Sequence, residues 1–318
     1  MQLLAAPDKF RGTLSAREAA AAIAAGAERA GWTAAELPLA DGGEGTLEVL
    51  GGGNRRTLVT GPLGEAVEAA WRLDENGTAL IEAAQACGLA LAGGPEGNDP
   101  LRATSRGVGE LIAAAVAEDA ERIVVTVGGV ASTDGGVGAT EAVPHPLLVP
   151  LVVACDVDAR FLEAADVFAP QKGATPAHVQ ILRERLAKLV VPDLPGAGAA
   201  GGLAGGLAAI GARLVSGFDL VAERVGLEER LAEADLVVTG EGLVDATSAT
   251  GKVVGRVLER AKATGVEALV IAGDVAPESP IDALSLVASY GPERALSEPA
   301  QCLMELVETA LAADPNGP

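Results

Sequence analysis

GVGELIAAAVAEDAERIVVTVGG, residues 107–129, decides the fold class. Gly107–Glu118 reads as a helix, Arg122–Val127 as a short buried-type strand, and Gly128-Gly129 as the turn that ends it. Helices alternating with uninterrupted apolar runs predict a parallel sheet with right-handed crossovers. The rhythm recurs on both sides. Leu151–Cys155, Asp235–Thr239 and Ala268–Ala272 are apolar runs that stop at Asp156, Gly240 and Gly273. Gln2–Ala6 and Glu36–Ala40 read as strands, and Thr46–Leu50 as a short helix. Ser15–Ala30 reads as a helix whose Ser15 and Glu18 match a capping box. Pro176–Leu189, Thr250–Thr264 and Pro299–Ala312 complete the helices, and the tail Asp314–Pro318 is expected to fray.

Between residues 56 and 83 the rhythm changes. Arg56–Thr60, Ala66–Leu73 and Thr78–Ala83 look like strands joined by glycine turns, with Glu75-Asn76-Gly77 suited to a hairpin. This antiparallel patch points to a second, smaller unit with mixed strands.

Composition narrows the function. Lys plus Arg is 23 against 44 Asp plus Glu, a net charge of −21, so general binding to phosphate backbones is disfavoured. Four Phe, two Trp and one Tyr provide no base-stacking platform. The core must be built from Ala, Val, Leu and Ile. Cys87, Cys155 and Cys302 are odd in number and far apart, which fits neither a disulfide framework nor a thiolate zinc site and points to reducing cytoplasm. The opening MQLLAAPDKF has no basic region, so no signal peptide is expected. The longest uncharged stretch, Leu194–Ala212, contains seven glycines and reads as a loop and a tightly packed helix rather than a membrane span.

Five loops combine carboxylates, cations or hydroxyls with glycines: Pro7–Gly12, Asp41–Thr46, Gly128–Gly136, Pro170–Ala174 and Thr239–Asp245. An ordinary turn explains any one of them; five at strand ends or helix starts suit phosphoryl transfer. Glycines let backbone N–H groups approach phosphate oxygens, carboxylates hold Mg²⁺ and accept a hydroxyl proton, and Lys or Arg neutralises the transferred group. Gly196–Gly201 satisfies G-x-G-x-x-G but follows no clear strand, so a dinucleotide site is disfavoured against an anion site or close packing. Gly251-Lys252 is followed by Val253, which lacks the hydroxyl of a P-loop. His145 and His178 have no nucleophile nearby in an elbow-like motif. Asp156 and Asp158 lie at i and i+2 after a buried strand, equally suited to an Asx turn or to a metal or base role.

The chain resembles the bacterial glycerate kinases of the glycerate 2-kinase type. The resemblance rests on APDKFRGTLSA, LADGGEGT, VTGPLGEAVEA, GGVASTDGGVGAT, VACDVD, APQKGA, PGAGAAGGL and ADLVVTGEG, which occur in the family's order over nearly the whole chain. It implies two interleaved α/β domains with the site between them, one Rossmann-like with a mostly parallel sheet and one smaller with mixed strands. The expected boundaries are 1–58, 98–140 and 220–318 for the first, and 59–97 and 141–219 for the second. It implies ATP-dependent, Mg²⁺-dependent phosphorylation of D-glycerate, typically at the 2-hydroxyl. Two segments are shorter than the family's, after Thr140 and after Asp158. Leu243 stands where the family commonly has Arg or Ser, and Thr247 where it has Gln.

On that resemblance Asp8, Lys9, Asp156, Glu241 and Asp245 are the candidate catalytic residues, with Asp156 and Glu241 as metal ligands. Arg11, Asp41, Glu44 and Lys172 are candidates for substrate binding. Gly128, Gly129, Ser132, Thr133, Asp134 and Gly135 are candidates for the nucleotide phosphates. The expected partner is a small-molecule substrate, with no nucleic acid or membrane, and the expected state is a cytoplasmic monomer or homodimer. The shortened segments leave two alternatives: a kinase of the same fold for another small hydroxy acid or polyol, and a catalytically weak ligand-binding paralogue.

Overall fold

A computed structural model describes residues 1–10, 12–249 and 251–312. The strands are β1 (Gln2–Ala5), β2 (Thr33–Glu36), β3 (Arg55–Thr60), β4 (Ala66–Leu73), β5 (Thr78–Glu82), β6 (Arg122–Thr126), β7 (Leu151–Ala154), β8 (Arg213–Val215), β9 (Leu236–Val244), β10 (Glu267–Val275) and β11 (Leu284–Ser285). They form two sheets in two compact units, the first built from Met1–Asp41 and Phe218–Pro318, the second from Gly42–Gly217.

The first unit holds a parallel sheet in the order β11-β10-β9-β1-β2. Leu3 and Ala5 of β1, Val238 of β9 and Ile271 of β10 share a core with Ala19, Ala20, Ile23 and Ala27, and with Leu303, Val307 and Leu311. The alanines recur at helical spacing along the Ala16–Arg29 helix, so its buried face is both apolar and thin. That helix starts at Ser15, whose hydroxyl accepts the Glu18 N–H while the Glu18 carboxylate accepts the Ser15 N–H. The strand expected at Glu36–Ala40 lies earlier, at Thr33–Glu36. Its extension still tracks β1, because Leu37 and Leu39 donate their N–H groups to the Ala5 and Pro7 carbonyls.

In the second unit the order is β3-β4-β5-β6-β7-β8, antiparallel from β3 to β5 and parallel from β5 to β8. Ile81, Ile123, Val125 and Val153 pack with Val108, Leu111 and Ile112 of the Arg106–Ala117 helix and with Leu203 and Leu207. The hairpin at residues 74–78 forms as its sequence predicts: the Asp74 carboxylate accepts the Asn76 and Thr78 N–H groups, and Gly77 has φ +72°.

The unit boundaries differ from those expected. Residues 42–58 and 98–140 lie in the second unit, which is one continuous segment and the larger of the two. The reason is strand pairing: β3 hydrogen-bonds to β4, and β6 to β5 and β7. Of the uncharged 194–212 stretch, Leu203–Ala209 is a short, largely buried helix, and no described helix is long and apolar enough to cross a membrane. Cys87, Cys155 and Cys302 are buried free thiols. The Asp314–Pro318 tail is outside the described residues.

Candidate active site

Ligands of open α/β sheets bind beyond the carboxyl ends of the strands, and the charged loops lie there in both units. In the first, Asp8 follows β1 and donates its N–H to the Gly240 carbonyl at 2.9 Å, which lays the loop along β9. Only glycine fits at 240, since a Cβ there would stand 1.8 Å from the Ile271 carbonyl oxygen. The Thr239 hydroxyl donates to the Ala6 carbonyl at 2.8 Å. These bonds bring Asp8 and Glu241 into one electrostatic neighbourhood with Asp41.

Burial pushes the Asp8 carboxyl up to about 7; Lys9 pulls it back, and Asp41 and Glu241 add to the rise. Burial also raises Glu241, against the Ser248 hydroxyl and Lys252. Glu241 Oε1 is buried and has no hydrogen-bond partner among the described residues. Its Oε2 stands 3.8 Å from the Lys252 ammonium, which is also 3.7 Å from Asp245 Oδ1.

Asp245, expected as a catalytic carboxylate, shapes its own turn. Its Oδ1 accepts the N–H and hydroxyl of Thr247, at 2.8 and 2.6 Å, and the Ser248 N–H at 3.2 Å. Those bonds, the Thr247 hydroxyl foremost, hold its carboxyl below the usual range. Arg11 lies outside the described residues.

The second unit carries the phosphate-type loop. Asp134 is spent on shaping it, accepting the Ser105 N–H and hydroxyl at 2.9 and 2.8 Å, the Gly136 N–H at 3.1 Å and the Gly138 N–H at 3.2 Å. Gly135 donates its N–H to Gly201. The N–H groups of Gly128, Gly129, Ser132 and Thr133 make no hydrogen bond among the described residues, and the buried Ser132 hydroxyl has no partner there either. Lys172 was expected to meet substrate. It is instead buried, and its ammonium donates to the Ser132 carbonyl at 2.5 Å and lies 3.5 Å from the Thr133 hydroxyl. It braces the loop from below.

Asp156 Oδ1 accepts the Gly217 N–H at 2.9 Å, so one oxygen of this expected metal ligand fixes the start of the Gly217–Val225 helix. Glu44 belongs to the loop after Asp41; its Oε2 would lie 3.1 Å from a Cβ at Gly129, so this loop and the 128–136 loop adjoin. The G-x-G-x-x-G run resolves as close packing: a Cβ at Gly201 would stand 2.2 Å from the Ser132 carbonyl oxygen. The His145 ring bonds to the Thr140 carbonyl, and His178 closes a capping box with Thr175.

Three polar residues escaped the sequence reading. Glu82 accepts the Gly45 and Leu47 N–H groups, at 3.0 and 2.9 Å, and so anchors the Asp41–Thr46 loop. Its signal was a carboxylate ending the otherwise apolar strand TALIE. Ser105 links Asp134 to the Ala139 N–H and carried no local signal. Lys252 stood in a motif set aside because it is not a P-loop.

This fold, with acidic and glycine-rich loops at its strand ends, defines the class of a small-molecule phosphotransferase. The profile described as the Glycerate kinase family matches residues 3–148 and 143–308, and the chain belongs to that family. It is 38% identical to the glycerate 2-kinase of Escherichia coli K12, over 86% of each chain. It is 38% identical to the glycerate kinase of Bacillus subtilis, over 88% of this chain and 86% of that one. An uncharacterized Mycobacterium tuberculosis protein is 43% identical over 98% of this chain and 91% of its own. That alignment runs to 347 positions, more than the 318 residues here, so the relative carries residues this chain lacks. The crystal structure of a glycerate kinase 2 candidate from Salmonella typhimurium LT2 matches with a TM-score of 0.79 at 34% identity, covering 98% of this chain and 97% of that one.

Proposed function

We propose that the protein transfers the γ-phosphoryl group of ATP to the 2-hydroxyl of D-glycerate, giving 2-phosphoglycerate and ADP. The observation that carries this reading, beside family membership, is the pairing of Asp8 with Glu241. Asp8 is a carboxyl poised near neutrality by burial, and Glu241 presents a buried oxygen with no protein partner among the described residues. A general base works best when its pKa lies close to the operating pH.

Asp8 accepts the proton of the 2-hydroxyl as that oxygen attacks the γ-phosphorus. The bond from the γ-phosphorus to the β,γ-bridging oxygen breaks, and its electron pair leaves with ADP. Lys9, beside Asp8, is suited to the glycerate carboxylate. Within the second unit, taken by itself, the N–H groups of Gly128, Gly129, Ser132 and Thr133, without a partner among the described residues, suit phosphate oxygens, on a loop held in shape by Asp134 and Lys172.

Glu241 is the residue suited to Mg²⁺, a hard cation that takes oxygen ligands. Among the described residues no three metal-ligating side chains converge. That fits an ion held by one or two carboxylates together with substrate phosphates and water. Mg²⁺ would supply neutralisation of the phosphate charge.

The test is a coupled ADP-release assay with Mg·ATP and D-glycerate, with the product identified, wild type beside Asp8→Asn. Glycerate-dependent turnover giving 2-phosphoglycerate is expected, with the variant slower by roughly 10²–10⁴-fold and still folded. An unaffected Asp8→Asn enzyme would remove Asp8 as base. One observation favours another small hydroxy acid: Leu243, on the same face of β9 as Glu241, is 49% exposed. An apolar side chain there suits a substrate with a larger apolar substituent, and a substrate panel in which glycerate is outpaced would establish it.

A further inference from the structure

Lys252 occupies an unusual place. It is the N-cap of the twelve-residue Val253–Thr264 helix, and its side chain makes no capping hydrogen bond. N-caps are ordinarily Ser, Thr, Asp or Asn, whose oxygen accepts a first-turn N–H. A lysine accepts nothing and adds positive charge to the positive end of the helix dipole, which is unfavourable for the free chain. Among the described residues the Val253 and Val254 N–H groups form no hydrogen bond, whereas Gly255 and Arg256 donate to Ser248 and Lys252 carbonyls.

The ammonium is held by field rather than by bonds. It stands 3.8 Å from Glu241 Oε2 and 3.7 Å from Asp245 Oδ1, beyond hydrogen-bond length, and its side chain is 37% exposed. Asp245 Oδ1 is already taken by Thr247 and Ser248. Glu241, nine-tenths buried with Oε1 unpartnered among the described residues, is the independent sign of a ligand beside this helix end. Of the other lysines in candidate loops, Lys172 is buried and committed to a carbonyl, and Lys9 is assigned above to the glycerate carboxylate.

We infer that Lys252 is the cation that binds the transferred phosphoryl group, and that the first turn of the Val253–Thr264 helix receives phosphate oxygens beside it. This rests on the kinase reading given above and assigns a residue to it. During transfer, negative charge spreads over the oxygens of the γ-phosphoryl group as its bond to the bridging oxygen of ADP breaks and its bond to the substrate hydroxyl oxygen forms. The ammonium leaves Glu241 and Asp245 for those oxygens, and no proton moves through it. The lysine and the first-turn N–H groups then act on one anion, and the unfavourable charge at the helix end becomes useful.

The experiment compares full-length wild type with Lys252→Ser, which supplies an ordinary capping hydroxyl, and with Lys252→Arg, which keeps the charge. It reads kcat, the affinities for ATP and ADP by calorimetry, and circular dichroism. Lys252→Ser is expected to fold, to lose about 10²–10³-fold in kcat, and to lose ATP affinity while binding ADP within about twofold of wild type. Lys252→Arg is expected to recover part of kcat. A folded Lys252→Ser protein with wild-type kcat and ATP affinity, or one that weakens ATP and ADP equally, overturns the assignment. If Ser does not fold, Lys252→Met takes its place with the same readings. A wild type that binds ATP but does not turn over glycerate would sink the glycerate reading alone; the comparison of ATP with ADP would still decide Lys252.

Discussion

Lys172 sits beneath the 128–136 loop with its ammonium on the Ser132 carbonyl, and burial lowers its pKa from 10.5 to about 8. Lys252, at the helix end beside Glu241, stays partly in solvent. Both are lysines followed by a small or apolar residue, and nothing in the local sequence separates a buried brace from a partly exposed cation. The Lys172 shift gives a stability prediction. Between pH of about 8 and 10.5 the folded chain holds a neutral amine where the unfolded chain holds a proton, so the unfolded state binds more protons. Stability therefore rises with pH across that window, and below about 8 the cost of the buried ammonium is constant. Urea titrations across the window should show wild type gaining on Lys172→Met as pH rises. Parallel curves would mean that Lys172 is not desolvated. Asp134 and Asp245 teach the same lesson in carboxylates: both Asp134 oxygens and Asp245 Oδ1 accept from loop N–H groups or hydroxyls, whereas Asp8 is buried and Glu241 Oε1 has no partner among the described residues.

At the scale of elements, local signals are most dependable where they act on neighbouring residues. The Ser15–Glu18 capping box, the 74–78 hairpin and the glycine-terminated strand β6 form as their sequences require, because each is decided within a few bonds. Ser15→Ala should cost about 1 kcal/mol in a urea titration, since it removes one helix cap. A loss well under half of that would mean that Glu18 alone satisfies the helix start. Strands β8 and β11, of three and two residues, carry too few side chains for a periodic signal and are recognised only by their partners β7 and β10. The early placement of β2 has a similar cause. Thr33–Glu36 lies on the sheet edge with its ends exposed, so the more apolar Leu37–Ala40 attracts the strand assignment by composition.

For the molecule as a whole, net charge is the property read most directly, and −21 on 318 residues predicts self-repulsion. The melting temperature should rise as sodium chloride goes from about 0.01 to 0.15 M, over which the Debye length falls from about 30 to 8 Å. A flat profile would mean that the surface ion pairs, such as Arg294 with Glu298 and Glu305, already offset the repulsion. The sequence by itself determined the α/β class, the run of apolar strands and glycine loops, the acidic surface and membership in the glycerate kinase family, because these depend on composition, periodicity and motif order. Only the tertiary structure decided which sheet β3 and β6 join, and hence that the second unit is the continuous segment Gly42–Gly217. Only the tertiary structure separated Lys172 from Lys252 and Asp245 from Asp8. Strand partners and the burial of a charge are set by residues far away along the chain, and a pKa follows the surroundings that the fold assembles rather than the residue type.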